Sequence, residues 1–258
     1  MLMQPTLEKL RQMGLNGMAD ALMSQLQQSD LNQWSFEERL SWLVDHEWTY
    51  RQNRRLARRL REARLRVAAC PEDVDYRTPR GLDGPGFRHL LTCQWLRRRE
   101  NVVITGPTGV GKTYLACALA HAACREGYSA RYYRLPRLLM ELLLAKADGS
   151  YPKLLTRLAR IDLLVLDDWG IAPISAAESR ELLEVMDDRS QTRSTLVASQ
   201  LPLDKWHEVM GDPTVADAVL DRLVHGAHRI VLRGESMRKR TPAPAGTGQT
   251  DVEEGGIK

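Results

Sequence analysis

Apolar and polar positions along the chain follow two different periodicities, and the change falls near residue 100. In the first stretch, leucines and methionines recur every three to five residues, a spacing that predicts amphipathic helices. Ser35, with Glu38 three residues later, fits the capping box that opens a helix. Prolines and glycines then interrupt the helical spacing. We therefore expect a small all-helical module over residues 1–68, and over residues 69–100 a linker or irregular approach to the next domain.

Beyond residue 100, short apolar runs alternate with helical segments. The five strand candidates are "NVVIT", "ARYYRL", "IDLLVLD", "STLVAS" and "HRIVL". The intervening segments predict helices at roughly 112–126, 136–146, 151–160, 175–189 and 214–225. This alternation predicts an α/β fold in which a five-stranded parallel sheet carries helices on both faces. We assign residues 101–233 to this core and residues 234–258 to a basic motif and a disordered tail rich in Pro, Gly and polar residues.

The composition bounds the class of protein. A chain of 258 residues with 43% hydrophobic and 27% charged residues can bury a sizeable core. Glu8, Lys9 and Arg11 interrupt the first apolar segment, so it lacks a signal-peptide core, and no later run is long enough to span a bilayer. We therefore expect a cytoplasmic protein without a membrane partner. The four cysteines form no CxxC pair, which favours reduced thiols over disulfides or zinc ligands.

Charge is unevenly distributed along the chain. The segment "RQNRRLARRLREARLR", residues 51–66, holds eight arginines against the single acid Glu62. On a helical wheel, one broad arc contains Arg51, Arg54, Arg55, Arg58, Arg59 and Arg61. A face of this kind could simply be solvated, but so dense and unbalanced a basic stripe favours binding to nucleic-acid phosphates.

A glycine-rich motif follows the first predicted strand. "GPTGVGKT" fits the phosphate-loop pattern GxxxxGK[ST] and lies between a strand and a helix, as that motif requires. Its glycines allow successive backbone amides to face phosphates, Lys112 brings a charge to the β- and γ-phosphates, and the Thr113 hydroxyl ligates Mg²⁺. We therefore predict that the loop binds a nucleoside triphosphate with Mg²⁺; the family resemblance described below implies that this nucleotide is ATP. The predicted nucleotide-contacting residues are Gly106, Pro107, Thr108, Gly109, Val110, Gly111, Lys112, Thr113 and Tyr114.

Polar residues end two further strands. "IDLLVLDDWG" places two carboxylates at a strand end, where ligands bind in open α/β sheets. We expect Asp167 to hold Mg²⁺ through a water and Asp168 to polarise the water that attacks the γ-phosphate. "STLVAS" ends at Ser199 and Gln200, which could orient the same water or sense the γ-phosphate. A polar residue that merely closes a strand is also common.

Taken together, these motifs resemble the AAA+ ATPases, and within them the IstB-type helper ATPases of insertion sequences, relatives of the DnaC helicase loaders. The matching blocks are "NVVITGPTGVGKTYLACALA", "YYRLPRLLMEL", "IDLLVLDDWG", "RSTLVASQLPLDKWHE", "DPTVADAVLDRLVHGAHRIVL" and "GESMRKR". The resemblance implies an ATPase that self-assembles on duplex DNA and recruits and stimulates a transposase. It also implies that Arg222 completes a neighbouring subunit's site, although a surface ion pair with Asp221 or Asp217 is an alternative.

Two features depart from the broad AAA+ pattern. Asp168 stands where most of these proteins carry glutamate, so slow hydrolysis is expected. Too few residues follow "HRIVL" to form the usual helical lid, which leaves Arg238 as the candidate phosphate-sensing arginine. Three alternatives stay open: a replicative helicase loader, which shares the core, a small-molecule kinase, and a DNA scaffold that binds ATP without hydrolysing it.

Overall fold

The computed structural model describes residues 3–27 and 34–237. Three helices form the amino-terminal part: α1 (Met3–Gln12), α2 (Asn16–Gln27) and α3 (Phe36–Ala63). The predicted cap of α3 is confirmed, because the Glu38 amide donates to Ser35 Oγ at 3.2 Å and the Ser35 amide donates to Glu38 Oε2 at 2.7 Å. With 28 residues, α3 is about 42 Å long.

Helix α3 joins the amino-terminal helices to the rest of the molecule. Its first half packs on α2 at Gly17, where an added Cβ would lie 2.6 Å from the Cβ of Tyr50. Its second half packs Leu56 and Leu60 against the main hydrophobic core. One rigid element therefore contacts both parts of the chain.

The five predicted strands form one parallel sheet. The strands are β1 (Val102–Thr105), β2 (Ala130–Arg134), β3 (Leu163–Trp169), β4 (Ser194–Ser199) and β5 (His228–Val231). Their order is β2-β3-β4-β1-β5, and every neighbouring pair is parallel. The turn after β1 therefore leaves the interior of the sheet, beside the carboxyl end of β4.

Helices cover both faces of the sheet, as predicted. One face packs on α6 (Lys112–Arg125), and the hydrophobic cluster of the other face includes residues of the remaining core helices. Those helices are α7 (Leu135–Ala147), α8 (Tyr151–Arg160), α9 (Ala176–Arg189) and α10 (Pro213–Val224). No helix in residues 3–27 and 34–237 combines the length and apolar character needed to cross a bilayer.

The segment expected as a linker contains two helices, α4 (Gly84–Leu91) and α5 (Gln94–Arg97). Sequence reasoning missed these helices because prolines and glycines usually indicate a turn. In α4 they belong to the start of the helix instead: Asp83 accepts from the Gly86 amide as the cap, and a proline occupies the first turn. Phe87, Leu90 and Trp95 are buried in the core shared with α6. This segment therefore packs on the core as an integral layer.

Candidate functional site

The glycine-rich turn between β1 and α6 requires glycine for steric reasons. Gly109 and Gly111 have φ angles of 87° and 95°, a region that strains other residues. An added Cβ on Gly109 would collide with the Ser236 side chain, and one on Gly111 would collide with the Arg80 guanidinium. The Met237 amide also donates to the Gly109 carbonyl at 3.0 Å. The turn is therefore packed tightly on one side by protein, while the amides at the start of α6 supply an anion-binding end.

Lys112 is buried within this turn, with 8% of its surface exposed. Its Nζ donates to the carbonyl oxygens of Gly106 at 2.7 Å and Pro107 at 2.8 Å. Burial lowers the pKa of Lys112, against the opposing effect of Asp167 and Asp168. The ammonium group is thus poorly solvated and lies against the loop that would surround a phosphate.

Asp167 collects hydrogen bonds at the end of β3. Its side chain is 2% exposed, and its Oδ2 accepts from the hydroxyls of Thr113 and Tyr132, both at 2.7 Å. A hydroxyl and a carboxylate in contact form a donor set that suits Mg²⁺, which draws its other ligands from phosphate and water. The part of the chain that the structure describes holds no cluster of three or more His, Cys, Asp or Glu residues that could bind a metal unaided. The residues present therefore fit a magnesium ion shared with a phosphate ligand.

Asp168 is held in a distorted strand end. Its φ angle is 61°, and the register of β3 against β4 shifts between Leu166 and Trp169. Such a bulge redirects the side chain. The carboxylate accepts from Arg134 Nε at 2.5 Å and from Arg66 Nη1 at 3.4 Å. Sequence reasoning missed both arginines, because β2 and the segment just after α3 reach Asp168 only through the tertiary fold.

The next residue, Trp169, anchors the strand end beneath the two aspartates. Its ring stacks on Trp206, with the centroids 4.9 Å apart and both side chains fully buried. The Trp169 carbonyl accepts from Ser199 Oγ at 2.8 Å. The two aspartates therefore project from a packed aromatic base.

The two polar residues at the end of β4 have different surroundings. Ser199 is fully buried, and its hydroxyl also accepts from the Leu201 amide at 3.0 Å, so both contacts are structural. Gln200 accepts from the Thr108 hydroxyl at 2.8 Å, which places it on the phosphate loop. Ser199 contacts the loop through its backbone alone, since its carbonyl accepts from the Gly106 amide at 3.2 Å, whereas Gln200 contacts it through its side chain.

Arg222 lies near the amino-terminal end of β1, whereas the phosphate loop follows its carboxyl-terminal end. Its carbonyl accepts from Asn101 Nδ2 at 2.8 Å, just before β1 begins. Its guanidinium pairs with Asp187 of α9 and donates to the Ala218 carbonyl at 2.7 Å. The ion pair expected with Asp221 or Asp217 is thus made by a different carboxylate. Within one subunit, Arg222 does not approach the loop.

A cavity of about 410 Å³ opens beside the phosphate loop. Its lining combines loop residues with residues from 66–80, and it includes Thr113, Tyr114 and Met237. Arg80 is 3% exposed there and donates to the Val110 carbonyl at 2.9 Å and to the Asp75 carbonyl at 2.8 Å. Burial lowers the pKa of Arg80. Nothing in the sequence pattern singled out Arg80. Arg238 lies outside the described residues.

The arginine-rich face of α3 forms a second candidate site. A concave surface of about 470 Å³ lies between this helix and the turn at Gly14. Its basic lining consists of Arg51, Arg54, Arg55, Arg58 and Arg61. The sixth predicted arginine, Arg59, is half-buried and has its Nη2 within 3.7 Å of an added Gly127 Cβ. The helical wheel placed Arg59 in the exposed arc because it could not include the packing of α3 against the end of α6.

Comparisons with known proteins agree along most of the chain. A match to the family described as "IstB-like ATP binding protein" covers residues 8–245. An insertion-sequence ATP-binding protein of Sinorhizobium fredii is 51% identical over 239 residues, or 93% of this chain and 98% of the relative. The ATP-binding protein of insertion sequence IS21 from Pseudomonas aeruginosa is 31% identical over 240 residues, or 93% and 89% of the two chains.

Solved structures support the fold. DnaI superposes with a TM-score of 0.55 at 20% identity, covering 64% of this chain and 91% of that chain. AMPPCP-bound DnaA from Aquifex aeolicus gives 0.54 at 19% identity, covering 65% and 51%. With the parallel sheet order, these likenesses confirm the predicted AAA+ P-loop fold.

Proposed function

Because the chain belongs to the IstB-like ATP-binding protein family, we propose that it is an ATPase that assembles on duplex DNA and assists a transposase in target selection and activation. The observation that carries the ATPase part is the contact between Thr113 and Asp167 at 2.7 Å beside a glycine-restricted phosphate loop. This pairing joins the phosphate-binding turn to the predicted metal-holding strand end in one site. It is what Mg²⁺-dependent phosphoryl transfer requires.

The residues of the loop would bind and orient the triphosphate. Backbone amides at the start of α6 would donate to the phosphates, and Lys112 would exchange its two carbonyl contacts for phosphate oxygens. Thr113 and Asp167 would hold Mg²⁺, which neutralises charge on the phosphates when it is bound. Asp168 would accept a hydrogen bond from the attacking water, and Gln200 lies where it could help to position that water.

The proposed DNA contact is the basic face of α3. Several exposed arginines line one concave surface there, so phosphate binding would be strong at low salt and weakly sequence-dependent. A cation–π contact, with the Arg54 guanidinium 5.8 Å from the Tyr50 ring centroid, helps to order part of this face.

Assembly into a homo-oligomer would complete the active site. Arg222 is remote from its own phosphate loop, and its contact with Asp187 leaves it 31% exposed. A residue that acts on a neighbour must lie on a different surface from its own site, and Arg222 meets that condition. Its guanidinium would stabilise charge on the γ-phosphate of the adjacent subunit.

The relatives favour transposition over helicase loading. The curated relatives that match 93% of this chain are insertion-sequence ATP-binding proteins. The likeness to DnaI concerns the fold alone at 20% identity. We therefore propose that the protein partner is the transposase of the same insertion sequence.

The decisive experiment is ATP hydrolysis measured with and without duplex DNA and the transposase of the same element. We expect slow basal phosphate release that rises when DNA is added and rises again with the transposase. Lys112→Ala is the inactive control. Phosphate release that never exceeds this control under any condition would contradict the ATPase proposal, and ADP formation only with a small-molecule acceptor would indicate a kinase instead.

A further inference from the structure

The guanidinium of Arg66 contacts both carboxylates of the phosphate site, Asp167 and Asp168. It lies just beyond the end of α3 at Ala63. Its Nη1 is 3.4 Å from Asp168 Oδ2 and 3.9 Å from Asp167 Oδ2. The same side chain borders the cavity of about 410 Å³ that also contains Thr113. The site described above therefore includes a positive charge that belongs to neither the loop nor the sheet.

The contacts of Arg66 and Arg134 differ in a way that matters for metal binding. Arg134 is anchored to Asp168 alone, through its Nε at 2.5 Å. Arg66 instead spans both aspartates at the longer distances of 3.4 and 3.9 Å. The two side chains are similarly exposed, 43% for Arg66 and 41% for Arg134, so the difference lies in these weaker, shared contacts. A divalent cation bound at Asp167 would lie close to the Arg66 guanidinium, and like charges at that separation repel. Arg66 is therefore the arginine that a metal would displace.

The position of Arg66 along the chain connects this displacement to α3. The carboxyl half of α3 is fixed on β2, where Arg131 Nη1 donates to the Glu62 carbonyl at 2.9 Å. The same helix carries the arginine-rich face farther along its length. Arg66 lies three residues beyond the last residue of this helix, so a displacement of its side chain would act on the short segment that leaves the end of α3.

We infer that Arg66 is a positioning residue that neutralises Asp167 and Asp168 before nucleotide binds, and that its displacement by Mg²⁺ and nucleotide couples the phosphate site to α3. This inference rests on the proposed function, from which it takes the nucleotide, the metal and the DNA face. Arg66 also contacts the Tyr132 hydroxyl. A guanidinium stays charged at any working pH, so the positive charge at this position is permanent.

The first test measures metal binding without nucleotide. Mn²⁺ titrations followed by electron paramagnetic resonance should show about 3- to 10-fold tighter binding to Arg66→Gln than to wild type, because a competing charge is gone. Arg64→Gln is the matched control, since Arg64 is exposed and lies two positions away. Arg66→Lys should restore near wild-type affinity. Equal Mn²⁺ affinity in wild type and Arg66→Gln would overturn the inference.

The second test measures coupling between the two sites. Duplex DNA affinity is compared with and without Mg²⁺ and a non-hydrolysable ATP analogue, and the ratio of the two affinities gives the coupling. We expect a ratio clearly different from one in wild type and Arg64→Gln, and a ratio near one in Arg66→Gln, which still binds the analogue.

The outcomes separate the inference from the proposed function. If wild type binds no analogue, the proposed function fails. If wild type binds the analogue but its DNA affinity does not respond, or if Arg66→Gln keeps the full ratio, the inference alone is wrong. Circular dichroism and thermal unfolding of the three variants verify that each is folded.

Discussion

At the scale of single residues, the phosphate site consists of side chains that already have protein partners. Lys112 donates to two loop carbonyls, Thr113 donates to Asp167, and Asp168 is paired with Arg134. Nucleotide binding would therefore exchange one set of polar contacts for another. The net affinity depends on the difference between the two sets, since each buried group must keep a partner.

Replacing Lys112 tests the buried cation of the phosphate loop. Charge-assisted hydrogen bonds contribute about 1.5–3 kcal/mol each, so Lys112→Ala should weaken ATP binding about 10- to 100-fold. Isothermal titration calorimetry with Mg²⁺ present measures this change. Lys205→Ala, which removes an exposed lysine paired with Glu208, serves as the control. An affinity that Lys112→Ala leaves intact would show that the ammonium does not reach the phosphates.

Replacing Asp168 tests whether this carboxylate takes part in the hydrolysis of ATP. Asp168→Asn keeps the size of the side chain and its position beside Arg134 but removes the base, so phosphate release should fall about 100-fold or more. ATP affinity should change little, because the residue is not expected to hold the nucleotide. Single-turnover hydrolysis and calorimetry separate the two effects. Identical rates in variant and wild type would support the non-catalytic scaffold.

At the scale of elements, prediction from sequence was accurate where periodicity was strong. All five strands and the five helices between them lie within a residue or two of the expected bounds, because apolar runs and 3.6-residue spacing determine them. Helices α4 and α5 were missed, since a short helix opened by Asp83 and a proline resembles a turn in composition. The strand order and the inward turn of Arg59 depend on long-range packing, which no local pattern encodes.

The segment before α4 is also fixed to α6 by an ion pair between Glu72 and Arg125. The hydrogen bond from Arg125 is the main reason that the pKa of Glu72 is lowered to about 2. A carboxylate with a depressed pKa adds stability above its ordinary pKa, near 4.3, and this stability is lost as the pH falls toward 2.

Glu72→Gln should therefore lower the thermal midpoint by about 1–3 °C at pH 7, a small effect because the pair is exposed. The difference from wild type should shrink steadily as the pH falls from about 4.3 to 2, since over this range Glu72 takes up a proton in the unfolded state while it stays charged in the folded state. Differential scanning fluorimetry across that range measures it. A difference that stays constant down to pH 2 would contradict the ion-pair explanation.

At the scale of the whole molecule, the phosphate loop and Arg222 lie at opposite ends of the strands. The phosphate loop lies at the carboxyl edge of β1, whereas Arg222 lies near the amino edge. The basic face of α3 lines a concave surface beside the turn at Gly14. The family resemblance in the sequence predicted the trans role of Arg222. The ion pair of Arg222 with Asp187 could be found only from the tertiary structure. The same is true of the contacts that Arg66 and Arg134 make with Asp168.

Arg222→Ala should leave ATP affinity unchanged and abolish hydrolysis. Mixing it with Lys112→Ala should restore part of the turnover, because each variant supplies the residue that the other lacks. Asp187→Asn is the matched control, since it breaks the same intramolecular pair while keeping the arginine. If Asp187→Asn loses activity as fully as Arg222→Ala, and mixing restores none, Arg222 acts only within its own subunit.

The stacked indoles beneath the aspartates also give the protein an intrinsic optical signal. Trp169 follows Asp168 directly, and its ring lies 4.9 Å from that of Trp206 at an interplanar angle of 30°. Two chromophores this close share their excited states, so their near-ultraviolet dichroism depends on the angle between them. Any rearrangement at the strand end would alter that spectrum, and occupancy of the site could be followed without a dye or a label.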